Sequence, residues 1–181
     1  MLALLFAAFL QTASAGTLAG VTMPDTVDAG GDKLVLNGLG LRKMLFIDIY
    51  VAGLYLPTKT HDSAVAINSD VHKRVVMHFI FRHVSPTQIK DTFHEGILNQ
   101  PGGDKLTAQV AILESFMTED VYSGEEFTVD YTPGVGTTIY AKGVKKGTIP
   151  GVDLMKALFS IYVGPKPATE ALKQGLLGNG G

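Results

Sequence analysis

Cysteine is absent from this chain of 181 residues. That excludes disulfides, thiolate nucleophiles and Cys-based zinc or iron–sulfur sites. A single domain of this length buries most of its apolar surface, so the core alone holds the fold. Charge of one sign is not in excess. Fifteen Lys and Arg against 17 Asp and Glu leave a formal charge of -2, without the clustered cations on which nucleic-acid binding relies. Beyond the N-terminus no apolar run is long enough to cross a bilayer.

Several chemical signatures are missing too. The five histidines (His61, His72, His78, His83 and His94) form no H-E-x-x-H and no i, i+4 helical pair, so no metal site is expected. His78 and His83 are an odd number of residues apart, which turns them to opposite faces of a strand. Gly38-Leu39-Gly40 lacks a third glycine, precedes a strand and has no P-loop lysine and serine, so no nucleotide cofactor is expected. No serine sits in G-x-S-x-G. Glu119-Asp120 and Glu125-Glu126 lie in polar turns, and Lys142, Lys145 and Lys146 read as a solvated hairpin tip.

What is present begins with Met1 to Leu10, an apolar run too short to span a membrane. It leads into Ala13-Ser14-Ala15, an A-x-A pattern. Residues 1–15 are therefore expected to be a signal peptide and 16–181 the mature domain, periplasmic or secreted and soluble. No Lys or Arg follows Met1, so the usual n-region charge is missing. The competing reading, a buried N-terminal helix, is opposed by Gly16, Gly20 and Pro24.

Short strands are expected at 21–23, 26–27 and 33–36, punctuated by Pro24-Asp25, Gly30-Gly31 and Asn37-Gly38. Met44 to Leu56 reads as one long strand. Leu45, Ile47, Ile49 and Val51 would form its buried face, and Phe46, Asp48, Tyr50 and Ala52 a face lining a cleft. A second long strand is expected from Arg74 to Val84, with Val75, Met77, Phe79 and Phe81 on its apolar face. Ser85-Pro86-Thr87-Gln88 starts a helix with an N-cap, a proline at N1 and a glutamine at N3. A second helix follows from Asp104, then strands at 126–131, 137–142 and 147–149. Helices at 153–163 and from Pro167 to Gly178 close the chain. Strands cluster instead of alternating with helices, which gives an α+β class on a mainly antiparallel sheet.

One residue stands out chemically. Arg42 lies beyond two glycines at the start of the apolar run, read here as a glycine-relieved bend. A guanidinium keeps its charge in such a setting and binds a carboxylate bidentately. A surface arginine lying over the sheet is the plainer account of the same residue.

The pattern N-G-x-G-x-R (Asn37 to Arg42), followed by Y-V-A-G-L-Y-L (Tyr50 to Leu56), resembles the bacterial secreted branch of the chalcone isomerase-like family. Arg74 to Phe79, Lys146 to Gly151, Ala157 to Pro165 and Leu172 to Gly178 extend the resemblance over essentially the whole mature chain. It implies an open-faced β-sandwich of the chalcone isomerase type: a large antiparallel sheet, helices layered on it, and a cleft between. The family includes enzymes that close chalcones to flavanones, and non-catalytic members that hold a fatty-acid carboxylate with the motif arginine and a tyrosine. Arg42 falls on that arginine. Tyr50 falls where the enzymes carry a strand threonine, and their helical tyrosine and asparagine have no clear match.

The expected function is thus non-catalytic binding of a small amphipathic carboxylate, such as a fatty acid. Arg42 and Tyr50 would take the head group, and Phe46, Met77 and Phe79 the wall. The alternative is an isomerase, an intramolecular lyase in which Arg42 and Tyr50 act on a phenolic substrate; a scaffold in which Arg42 merely packs is a third. A geometric condition attaches to either use of the pair. On one straight strand Arg42 and Tyr50 would stand roughly 26 Å apart at about 3.3 Å per residue, so the chain has to turn sharply between them.

Overall fold

The computed structural model describes residues 15–180; residues 1–14, most of the expected signal peptide, lie outside that range. The chain begins with β1 (Ala15–Leu18), β2 (Val21–Pro24), β3 (Thr26–Ala29), β4 (Asp32–Met44) and β5 (Ile47–Leu56). After α1 (Ser63–Asn68) come β6 (Lys73–Phe79), β7 (His83–Val84) and α2 (Pro86–Leu98). A 3-10 turn (Gly103–Leu106) leads into α3 (Thr107–Ser115), then β8 (Val121–Tyr122), β9 (Glu126–Thr132), β10 (Gly136–Ala141) and β11 (Val144–Ile149). Helices α4 (Val152–Val163) and α5 (Glu170–Leu176) end the fold.

Seven strands form one antiparallel sheet in the order β11-β10-β9-β6-β5-β4-β3. The helices cover one face. Ala52, Leu54, Val75, Met77, Val129 and Ile139 of the sheet share a core there with Ile89, Phe93, Leu113, Leu158, Phe159 and Leu172. Helix α4 is buried from Leu154 to Val163 except at Lys156, because α1, α2 and α5 pack around it above the sheet. On the opposite face the β1–β2 hairpin lays Val21 and Met23 on Val51. The arrangement is α+β, helices on a large antiparallel sheet.

Helix α2 starts where its signals require. Ser85 Oγ accepts from the Gln88 amide at 3.3 Å, and Gln88 Oε1 accepts from the Ser85 amide at 2.9 Å, a reciprocal capping box. Helix α1 lies between the two long strands expected from the sequence, where no element is expected; Asp62 caps it, accepting from the Ala64 and Val65 amides. The long strand expected at Arg74–Val84 ends at Phe79, and His83–Val84 pairs instead with β8.

The largest departure is at Met44 to Leu56, which is not one strand. Leu45 and Phe46 form a two-residue turn between β4 and β5, with Met44 opposite Ile47. The expected face of Leu45, Ile47, Ile49 and Val51 therefore breaks: Leu45 is 87% exposed and Phe46 98% exposed. From Tyr50 onward both sides of β5 are buried. Tyr50, Ala52 and Leu54 face the helices, and Val51 faces the β1–β2 hairpin.

Candidate ligand-binding cleft

The stretch from Asn37 to Arg42 acquires a packing rationale. A register shift at Asn37 places Gly38, Gly40 and Arg42 on one face of β4, two residues apart. Asn37 ties the neighbouring backbone together: its Oδ1 accepts from the Thr60 amide at 2.7 Å, and its Nδ2 donates to the Leu176 carbonyl at 2.7 Å. The glycines then make room for α5. A Cβ on Gly40 would stand 2.5 Å from the Leu172 carbonyl oxygen, and one on Gly38 would stand 2.7 Å from that of Leu176. Neither glycine has positive φ. They therefore serve close helix–strand approach, which corrects the reading of a relieved bend.

Arg42, two residues on, is half-buried. Its Nη1 donates to the Lys43 carbonyl. The nearby carboxylate of Asp48 is taken by Lys43, at 3.1 Å, and no carboxylate pairs with Arg42 among the described residues.

The β4–β5 hairpin satisfies the geometric condition. Arg42 is the register partner of Tyr50, and Tyr50 in turn that of Phe79 on β6. Directly paired residues share a face with Cα atoms about 4.5–5.5 Å apart, so Arg42, Tyr50 and Phe79 form one row under the helices. A second register shift follows, Lys43 pairing with Asp48, an irregularity of the kind that re-aims side chains beside sites.

A cleft opens along this row. Its floor is Arg42, Met44, Ile49, Tyr50, Met77 and Phe79; its roof is Val84, Ile89, Thr92 and Phe93 with Ile161 and Tyr162 of α4. The rings of Tyr50 and Phe79 lie 5.5 Å apart, tilted by 58°. Tyr162 donates its hydroxyl to Met77 Sδ at 3.2 Å, holding that wall residue in place. The cavity volume is about 60 Å³, space for about two water molecules at their liquid density.

Electrostatics bear on what the cleft can hold. Burial pushes the Tyr50 phenol up to about 12, with the Arg42 cation pulling the other way. Tyr50 is therefore a neutral hydroxyl at neutral pH, a donor and not a base. The Tyr162 phenol is also raised well above its ordinary value, first by burial and then by Tyr50. Arg42 presents a fixed positive charge at the mouth. One cation, one neutral O–H donor and an apolar wall suit the carboxylate of an amphipathic molecule.

Of the residues expected from the sequence, Arg42, Tyr50, Met77 and Phe79 are brought together here. Phe46 is not, because the turn carries it out of the sheet. The roof went unidentified in the sequence. Ile89 and Phe93 show helical spacing, but spacing alone does not say what that face covers, and no signal singles out Tyr162. A larger, shallow groove of about 720 Å³, lined in part by Ser63, Lys105, Asp153, Lys156 and Lys173, shares no residue with the cleft and is open and mixed in charge.

The sequence profile of the chalcone isomerase-like family matches residues 15–178. The chain belongs to that family. Among solved structures, a fatty-acid binding protein of Arabidopsis thaliana superposes with a TM-score of 0.77 at 15% identity, covering 92% of this chain and 97% of the other. At that identity the likeness concerns the fold. No curated protein sequence matches the chain significantly. In this chalcone isomerase-like domain no group of three potential ligands is placed to hold a metal ion among the described residues, and no helix there is long and apolar enough to cross a membrane.

Proposed function

We propose that this chalcone isomerase-like protein is an exported, non-catalytic binder of a small amphipathic carboxylate, a fatty acid being the best fit. The observation that carries the reading is the Arg42–Tyr50 cross-strand pair, a cation without a carboxylate partner beside a neutral phenol, at the head of an apolar cleft. The Arabidopsis protein of the same fold, named for fatty-acid binding, supports it. Export rests on the A-x-A pattern ending at Ala15, and N-terminal sequencing of the mature protein from fractionated cells tests it.

Arg42 takes the carboxylate bidentately, and Tyr50 donates a third hydrogen bond to it. Met77 and Phe79 contact the first methylenes. The cleft is narrower than the roughly 300–1,000 Å³ of sites that enclose a whole drug-sized molecule. The distal part of a long acyl chain therefore leaves by the mouth or displaces α2. Against the isomerase reading stands the replacement at position 50, where the family's enzymes carry a threonine and this chain carries Tyr50.

The test is native mass spectrometry of protein stripped of lipid, refolded and offered fatty acids of graded length. A charge-assisted hydrogen bond contributes about 1.5–3 kcal/mol, so Arg42→Ala weakens binding roughly 10- to 100-fold. Failure of the wild type to rebind any fatty acid, or equal binding by Arg42→Ala, sinks the reading. Turnover in a chalcone absorbance assay overturns its non-catalytic half.

A further inference from the structure

At the mouth of the cleft the hairpin tip presents Met44, Leu45, Phe46 and Ile47, exposed by 55%, 87%, 98% and 48%. Other exposed large apolar residues, such as Val65, Ile112 and Val135, are isolated along the chain. Such scattering is ordinary, whereas a contiguous exposed cluster marks a contact surface. The turn itself is unusual: Leu45 has φ +54, a conformation that glycine, asparagine or aspartate adopts with less strain. An apolar side chain occupies the position that backbone geometry would give to a small or polar residue.

We propose that this tip is a lipid-surface docking wedge, inserting Leu45 and Phe46 among the acyl chains at an anionic bilayer interface. Three features favour a membrane as the occupant. The tip is convex and only two residues wide, whereas a stable protein interface needs about 800 Å² per partner; a shallow wedge fits between headgroups. Arg42 and Lys43 stand directly behind it against the single carboxylate of Asp48, at the level anionic headgroups would occupy. Met44 belongs both to the exposed tip and to the cleft floor, so docking sets the cleft mouth on the bilayer. The wedge does not depend on Arg42 holding a ligand. Where it does, the tip faces the phase from which an amphipathic carboxylate partitions.

The chain has no tryptophan, so Phe46→Trp in the mature protein is a single reporter at the tip. Phosphatidylglycerol–phosphatidylethanolamine vesicles should blue-shift its emission, and brominated acyl chains should quench it. In co-sedimentation, the double variant Leu45→Gly/Phe46→Ser should show a vesicle-bound fraction at least tenfold below wild type, with an unchanged or higher Tm because the glycine relieves the turn. Both measurements use the mature form beginning at Gly16, because the apolar run of residues 1–10 would itself partition into vesicles. Water-like emission from the Phe46→Trp variant that vesicles leave unaltered, or equal sedimentation of the double variant, overturns the proposal.

The two functional readings fail separately. Titration with dissolved decanoate should give the double variant an affinity within twofold of wild type. Loss of vesicle binding alone leaves the Arg42 site standing, and absence of decanoate binding in both proteins leaves the wedge standing.

Discussion

Gly40 and Arg42 sit two residues apart on one face of β4, and their roles divide by atom count. Gly40 has no side chain because the Leu172 carbonyl occupies that space; a Cβ would come within 2.5 Å of it. Backbone gives way less readily than a flexible side chain, so Gly40→Ala should destabilise the fold by about 3 kcal/mol, the upper end of overpacking costs. Gly30 makes a useful contrast, having φ +59 and nothing within 4 Å of where a Cβ would stand. Gly30→Ala should cost only about 1 kcal/mol, from backbone conformation alone. Urea denaturation of both variants checks the difference, and equal midpoints would mean that α5 is not seated on the glycine.

The β4–β5 hairpin and α2 together set the size of the cleft. The hairpin brings Arg42 opposite Tyr50, and α2 lowers Ile89 and Phe93 onto the row. Ile89 is 5% exposed, and trimming it opens space in the cleft where the proposed acyl chain would run. Ile89→Ala should cost about 2–5 kcal/mol of stability while raising the affinity for decanoate relative to butyrate. Calorimetric titration with both acids measures that ratio. An unchanged ratio would place the acyl chain elsewhere than under α2.

At the scale of the whole fold, the helix layer closes over Lys73, a group whose charge opposes burial. Lys73 is fully buried on the helix side of β6, its Nζ donating to the Ala66 and Ile67 carbonyls at 2.7 and 3.0 Å and lying 5.4 Å from the centre of the Phe159 ring. Those carbonyls belong to the last turn of α1, where a cation is favoured. Burial nevertheless lowers the Lys73 ammonium from 10.5 to about 8, partly offset by Asp70. Between pH 8 and about 10 the unfolded chain then holds the lysine proton that the native protein has released, so raising the pH stabilises the native state. The destabilisation is fully present below pH 8. Urea unfolding at pH 7 and pH 9.5 should show wild type gaining stability relative to Lys73→Met as pH rises. A difference that stays constant with pH would show that the native lysine keeps its proton over that window.

Local signals in the sequence determined much of this protein by themselves. The capping box at Ser85 to Gln88 starts α2 within four residues, where no tertiary contact is needed. Clustered strands gave the α+β class, and the residues from Asn37 to Arg42 with Tyr50 to Leu56 carried the family resemblance. The turn at Leu45-Phe46 had no such signal: four apolar residues without glycine, proline, asparagine or aspartate read as strand. Cross-strand pairing decided the turn instead, since Arg42 to Leu56 folds back only when β4 and β5 share a ladder and their inner faces share the helices above. That one tertiary choice moved Phe46 from wall to water and set Arg42 beside Tyr50. Local preference acts over a few residues, whereas burial acts over the whole sheet, and where they conflicted the sheet prevailed.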